Sequence, residues 1–206
     1  MKRVALCVGI NDYGVDHSLQ GASPAAELVC KTLKSKYDSV ELLTDARATV
    51  RTVKEVLRSL VSTLSWGDIL VFFFSGHGCD VDGVQTLAIP DRDEGGNCDG
   101  MAFLSLSEVE EITNKPGVQR VFVLDCCRVC DKSLFWLFKR VVDELIGAGK
   151  ASAEDPSCIK PILLASCARG QSSLDDTRAR QGHFTRAFVR ALRSREVRSF
   201  NKLQRR

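Results

Sequence analysis

Two apolar runs in this chain end in residues that can do chemistry. Phe72-Phe73-Phe74 runs into Ser75-Gly76-His77-Gly78, and Val121-Phe122-Val123-Leu124 runs into Asp125-Cys126-Cys127-Arg128, with Cys127 50 residues after His77. A thiol is a modest nucleophile until a nearby base or positive charge favours the thiolate. His77, between two glycines, is little shielded; it can take that proton and later return it to a leaving amine. The backbone N–H groups of Gly78 and Cys127 are candidates to hold an oxyanion. Together these residue types point to acyl transfer through a covalent thioester. Taken alone, the first motif reads equally as a turn histidine without a role.

These groups meet only if the elements carrying them lie side by side. Strand-like runs at Val4–Ile10, Val40–Leu43, Ile69–Phe74, Val121–Leu124 and Ile162–Ala165 alternate with helix-period segments. That alternation is the signature of βαβ units and a largely parallel sheet. The runs at 69–74 and 121–124 are apolar throughout, as central strands covered on both faces are. In such a sheet, functional groups gather at the carboxyl ends of the strands. Ser23 followed by Pro24 reads as the N-cap and first turn of a helix. Val50, Val53, Leu57, Leu60, Val61 and Leu64 form a helical stripe. Ser105 and Glu108 suggest a capping box. Further helices are expected over 133–146 and around Phe184, Phe188, Ala191 and Leu192, the latter with Arg186, Arg190 and Arg193 facing outward. Residues 79–100, rich in acids and glycine, and 147–158 read as loops.

The arrangement resembles the caspase–metacaspase–paracaspase family of cysteine peptidases. Its caspase signature pairs Q-A-C-[RQG]-G with a histidine about 50 residues upstream. Asp125-Cys126-Cys127-Arg128-Val129 stands in that place, and its Asp-x-Cys form is similar to the metacaspase version. Val8-Gly9-Ile10-Asn11-Asp12-Tyr13 is similar to the family's first strand and turn. Leu164 to Ser173 followed by Gly182-His183-Phe184-Thr185-Arg186-Ala187-Phe188 is similar to the metacaspase segment after the linker. The resemblance spans roughly residues 4–193. It implies a three-layer α/β sandwich with a mostly parallel sheet of about six strands and helices on both faces. It implies a domain over 1–194, with a flexible linker at about 147–158 and a basic tail at 195–206.

The resemblance also implies a His77–Cys127 dyad, with Cys126 as the competing thiol at the variable position of Asp-x-Cys. Asp125, with Ser75 and Ser166, is expected to bind substrate, and Asp125 suits a basic P1 side chain through paired hydrogen bonds. Two departures bear on that pocket. Gly21-Ala22-Ser23 lacks the second pocket acid of metacaspases, and Leu19-Gln20 stands where a caspase pocket arginine is expected. The missing acid counts against a strongly acidic pocket: cleavage after Arg or Lys is the first expectation, cleavage after a small or neutral residue the second, and a catalytically weak homologue acting as a regulatory or scaffold module is the alternative. No cofactor is required for the chemistry. Calcium is a candidate activator, with Asp91, Asp93 and Asp99 as its loop. Lys150 lies in the linker, where basic-P1 enzymes can cut themselves.

Composition fits this reading. The 206 residues, 44% hydrophobic and 27% charged, are ordinary for a globular domain able to bury a core. No apolar run approaches the roughly 20 residues that span a bilayer, and the stretch after Met1 reads as a strand rather than a leader. Most of the nine cysteines, with Cys7, Cys126 and Cys167 in apolar runs, read as reduced core residues of a cytoplasmic protein. Cys127-Arg128-Val129-Cys130 is a C-x-x-C without the second pair that a zinc site needs. The net charge of +3 is uneven: ten bases and one acid fall in residues 178–206. That end reads as a solvated helix face rather than a nucleic-acid or membrane surface. Protein or peptide substrates are the expected partners, and monomer and homodimer both stay open.

Overall fold

The computed structural model describes residues 1–14, 17–81, 83–92, 98–128, 157–168, 170–171, 175–176 and 181–194. Five strands form one sheet: β1 (Arg3–Gly9), β2 (Ser39–Thr44), β3 (Ile69–Ser75), β7 (Gln119–Asp125) and β8 (Ile162–Ala165), in the order β2-β1-β3-β7-β8. All four pairings are parallel. About six strands were expected; five are present among the described residues.

The apolar runs explain the layering. Side chains alternate across a strand, so a run covered on both faces feeds two cores. Leu6, Leu70, Phe72, Phe122 and Leu124 point into one core, which also takes Val53, Leu57 and Leu60 of α2 (Val50–Ser62) and Val109 of α3 (Leu106–Thr113). Cys7, Val71, Phe73, Val121 and Val123 point into the other, against Val29 and Leu33 of α1 (Ala22–Lys34) and Phe188 of α4 (His183–Arg193). The result is the three-layer α/β sandwich. Phe72, Phe73, Phe74 and Phe122 are fully buried, each worth about 1.5–3 kcal/mol of transfer free energy. Arg186, Arg190 and Arg193 are exposed on α4, as its pattern predicts.

Two expectations are corrected. Residues 79–100 are not a plain loop: β4 (Gly78–Val81), β5 (Val84–Arg92) and β6 (Cys98–Ser105) pair as a second, antiparallel sheet. Leu87, Ile89 and Leu104 anchor it in the first core. Ser23 is not an N-cap. The helix begins at Ala22 with Gly21 at the cap, and the side-chain oxygen of Asn11 accepts from the N–H groups of Ala22 and Ser23 at 2.8 and 3.1 Å. The Ser105–Glu108 capping box is present as expected. The expected 133–146 helix, the linker as far as 156, Cys130, Asp93 and the 195–206 tail lie outside the described residues.

The described cysteines are free thiols, Cys7 and Cys126 buried and Cys167 only partly so, against the expectation of a buried Cys167. No helix among the described residues is long and apolar enough to cross a membrane.

Candidate active site

The register of β3 on β7 builds the site. Ser75 pairs with Asp125, so His77 and Cys127 each follow two residues beyond a matched pair. Both motifs therefore leave the sheet at the same carboxyl edge. Ser75 is buried in that last pair, and Ser75 O accepts from Ile10 N at 3.0 Å.

The glycines flanking His77 are required by close packing. A Cβ at Gly76 would stand 2.3 Å from the Tyr13 hydroxyl, and one at Gly78 would stand 2.9 Å from Cys126 Sγ. Tyr13 is buried, which holds its phenol protonated and pushes its pKa up. Its hydroxyl accepts from His77 N at 2.8 Å and donates to Ala88 O at 3.1 Å. The two rings meet edge-on with centroids 4.5 Å apart. His77 Nε2 lies 2.8 Å from the carbonyl of His17. A carbonyl only accepts, so Nε2 carries the proton; in a neutral imidazole the lone pair then falls on Nδ1.

Cys127 is held differently. It is partly exposed, whereas Cys126 is buried and its thiol is pushed well up, first by desolvation and then by the Asp125 charge. Gln85, on β5 and buried, donates from Nε2 to Cys79 O at 3.0 Å and to Cys127 O at 3.4 Å. Its Oε1 accepts from Arg128 Nε at 2.8 Å. Arg128 is also buried, and its backbone exchanges bonds with Gln171 O and Gly170 N, both at 2.9 Å. On the other side, Ser166 Oγ and Cys167 Sγ both donate to Cys126 O at 3.4 Å.

Asp125 is buried, and its Oδ2 accepts from the Thr185 hydroxyl at 2.5 Å. A Cβ at Gly182 would stand 2.6 Å from that same oxygen, so the start of α4 closes over the carboxylate. Of the acids singled out for calcium, Asp91 is exposed, with its Oδ1 accepting from Arg92 N at 3.1 Å. Asp99 is described by its backbone alone, and Asp93 falls outside the described residues. Among the described residues no group of three or more His, Cys, Asp or Glu side chains comes together as metal ligands.

Sequence reading missed His17, Gln85 and Thr185. His17 contributes a backbone carbonyl, which no residue type advertises. Gln85 and Thr185 have an ordinary appearance in sequence and gain their contacts only when β5 and α4 dock.

The caspase-domain family model matches residues 2–206, and the chain belongs to that family of peptidases. Metacaspase-3 of Arabidopsis thaliana is 33% identical over 103 residues, covering 45% of this chain and 28% of that protein. The chain thus matches well under half the length of this relative. The crystal structure of protein GSU0716 from Geobacter sulfurreducens superposes with a TM-score of 0.68 at 21% identity, covering 93% of this chain and 81% of that one. At that identity the likeness speaks to the fold.

Proposed function

We propose that the chain is a cysteine endopeptidase in which Cys127 attacks the scissile carbonyl and His77 carries the proton. The observation that carries this is the β3–β7 register, with Ser75 opposite Asp125. The Cys127 thiol gives its proton to Nδ1 of His77, whose other nitrogen is engaged by His17 O. The sulfur bonds to the carbonyl carbon, and the N–H groups of Gly78 and Cys127 hold the oxyanion. His77 then protonates the departing amine, and water releases the acyl group by the reverse use of the same base. Burial of Cys126 and its raised pKa leave it a poor rival nucleophile. Asp125 is the acid that suits a cationic P1 side chain, Arg or Lys, and binding one there requires the start of α4, which covers the carboxylate, to make room.

The test is cleavage of reporter peptides ending in Arg, Lys or Asp, with and without calcium, by the wild-type chain and by Cys127→Ala. Cleavage after Arg or Lys that the substitution abolishes is expected. A folded wild-type protein that cleaves none of them overturns the reading in favour of a binding or scaffold role, which the acid-free Gly21-Ala22-Ser23 stretch would then explain.

A further inference from the structure

Asp45 opens a single 3-10 turn, Asp45–Arg47, at the end of β2, and it is the non-glycine residue among the described positions with positive φ, at +46°. A left-handed backbone is costly for a residue with a side chain and persists where its surroundings hold it. Here the carboxylate supplies the hold. Oδ1 accepts from Asn11 N at 2.7 Å and Asp12 N at 2.9 Å, and Oδ2 accepts from Ser23 Oγ at 2.8 Å. Asn11 in turn receives Leu19 N on its carbonyl at 2.8 Å. These bonds close the base of a turn whose described residues are 11–14 and 17–19. Arg92 grips the same turn from β5, with NH1 2.9 Å from Asp12 Oδ2 and NH2 donating to Asp12 O at 3.0 Å. Inside this turn sit Tyr13 and His17, both of which accept from His77 through an oxygen.

We propose that Asp45 is a positioning residue for His77, acting through Asn11, Asp12 and Leu19, the base of the turn that carries the His17 carbonyl and the Tyr13 hydroxyl. Its catalytic meaning rests on the peptidase reading given above; its effect on the imidazole does not. With the turn fixed, His17 O holds the proton on Nε2 and steadies an imidazolium, and an imidazolium beside Cys127 favours the thiolate. With the base of the turn released, the ring is free to take either tautomer.

Asp45→Gly tests this. Glycine takes φ near +46° without strain, so the variant removes the carboxylate and leaves the backbone its conformation. Asp45→Asn keeps an oxygen for the two backbone donors and should behave nearly as wild type. The chain has three histidines, so nitrogen-15 spectra of the imidazoles, assigned with His77→Gln, report the tautomer directly. Wild type should show His77 as the Nε2–H form, and Asp45→Gly a mixture. Iodoacetamide alkylation of Cys127, followed by peptide mass across pH, should slow several-fold near neutrality in Asp45→Gly and recover in Asp45→Asn. Under the peptidase reading, kcat should fall with little change in KM. A folded Asp45→Gly with wild-type tautomer and alkylation overturns the proposal. If Asp45→Gly has no cooperative unfolding transition, Ser23→Ala is read in its place; a smaller shift in the same direction is expected, and none overturns the proposal. A wild-type protein that cleaves no peptide while Asp45→Gly shifts the tautomer defeats the peptidase reading and leaves the positioning role standing.

Discussion

The ends of β3 and β7 lie next to each other but are held by opposite means. At the end of β3, His77 is gripped on its ring as well as its backbone: His17 O takes Nε2, and Tyr13 takes the N–H. At the end of β7, Cys127 is gripped through its carbonyl by Gln85, and its neighbour Arg128 by Gln85 and Gln171. The difference matches what each group must do. A base works only in one tautomer and orientation, so its ring is fixed. A nucleophile must swing onto a carbonyl, while its N–H must stay still to hold the oxyanion. On the proposed mechanism Cys127→Ala and His77→Ala should each lower kcat/KM by about three orders of magnitude or more, and the double variant should be little worse than either. Cys126→Ala should retain most activity. Loss of activity in Cys126→Ala with retention in Cys127→Ala would invert the comparison.

Gln85→Leu attacks mainly the β7 side. It strips the partner from Arg128 Nε and a donor from Cys79 O and Cys127 O in a buried setting. Leaving such groups unsatisfied costs about 1–3 kcal/mol, read as a lower urea midpoint at constant slope. Because the Cys127 backbone loosens, kcat should fall by about tenfold with KM nearly unchanged. The His77 tautomer should stay as in wild type. A tautomer change in Gln85→Leu would show that the two strand ends are not independently supported.

Much of this was legible from residue order, for identifiable reasons. Runs such as Ile69–Phe74 and Val121–Leu124 are apolar on both faces, so a central parallel strand is their natural home. The strand ends follow at once, and with them the edge at which His77 and Cys127 emerge. The β4–β5–β6 sheet was hidden because Asp80, Asp91 and the glycines of 78–100 are turn formers, while the Leu87 and Ile89 alternation acquires meaning only against the first core. Ser23 was misread because a serine before a proline looks like a cap, whereas its hydroxyl instead binds Gly9 O and Asp45. Contacts that depend on docking, such as Gln85 to Arg128, have no local sequence signal.

Tyr13→Phe weakens the β3 side more gently. It removes the acceptor of His77 N and the donor to Ala88 O while keeping the ring and its edge contact. The expected loss is about 1–2 kcal/mol of stability, with a smaller drop in kcat than Gln85→Leu, since His17 O still fixes the imidazole. A drop larger than that of Gln85→Leu would mean that the backbone bond, and not the ring contact, sets the base.

Glu108 gives the smallest effect and the cleanest control, because it binds neither strand end. Burial raises its carboxyl, but Lys54 Nζ at 2.6 Å and the N–H and hydroxyl of Ser105, both at 3.0 Å, outweigh that and hold it below the usual glutamate range. A depressed carboxylate pKa stabilises the fold above the unfolded-state value of about 4.3 and loses that contribution as pH falls through the lower folded value. Both partners of the Lys54 pair are partly exposed, so screening limits the charge effect to under about 1 kcal/mol. Glu108→Gln keeps a capping-box side chain and removes the charge. It should lower Tm by a few degrees at pH 7 and converge on wild type near pH 3, with kcat/KM and the His77 tautomer unmoved throughout. A change in peptide cleavage at unchanged fold would mean that α3 is coupled to the site through the β5–β6 sheet it packs on, the sheet whose Gln85 and Ala88 touch the two strand ends.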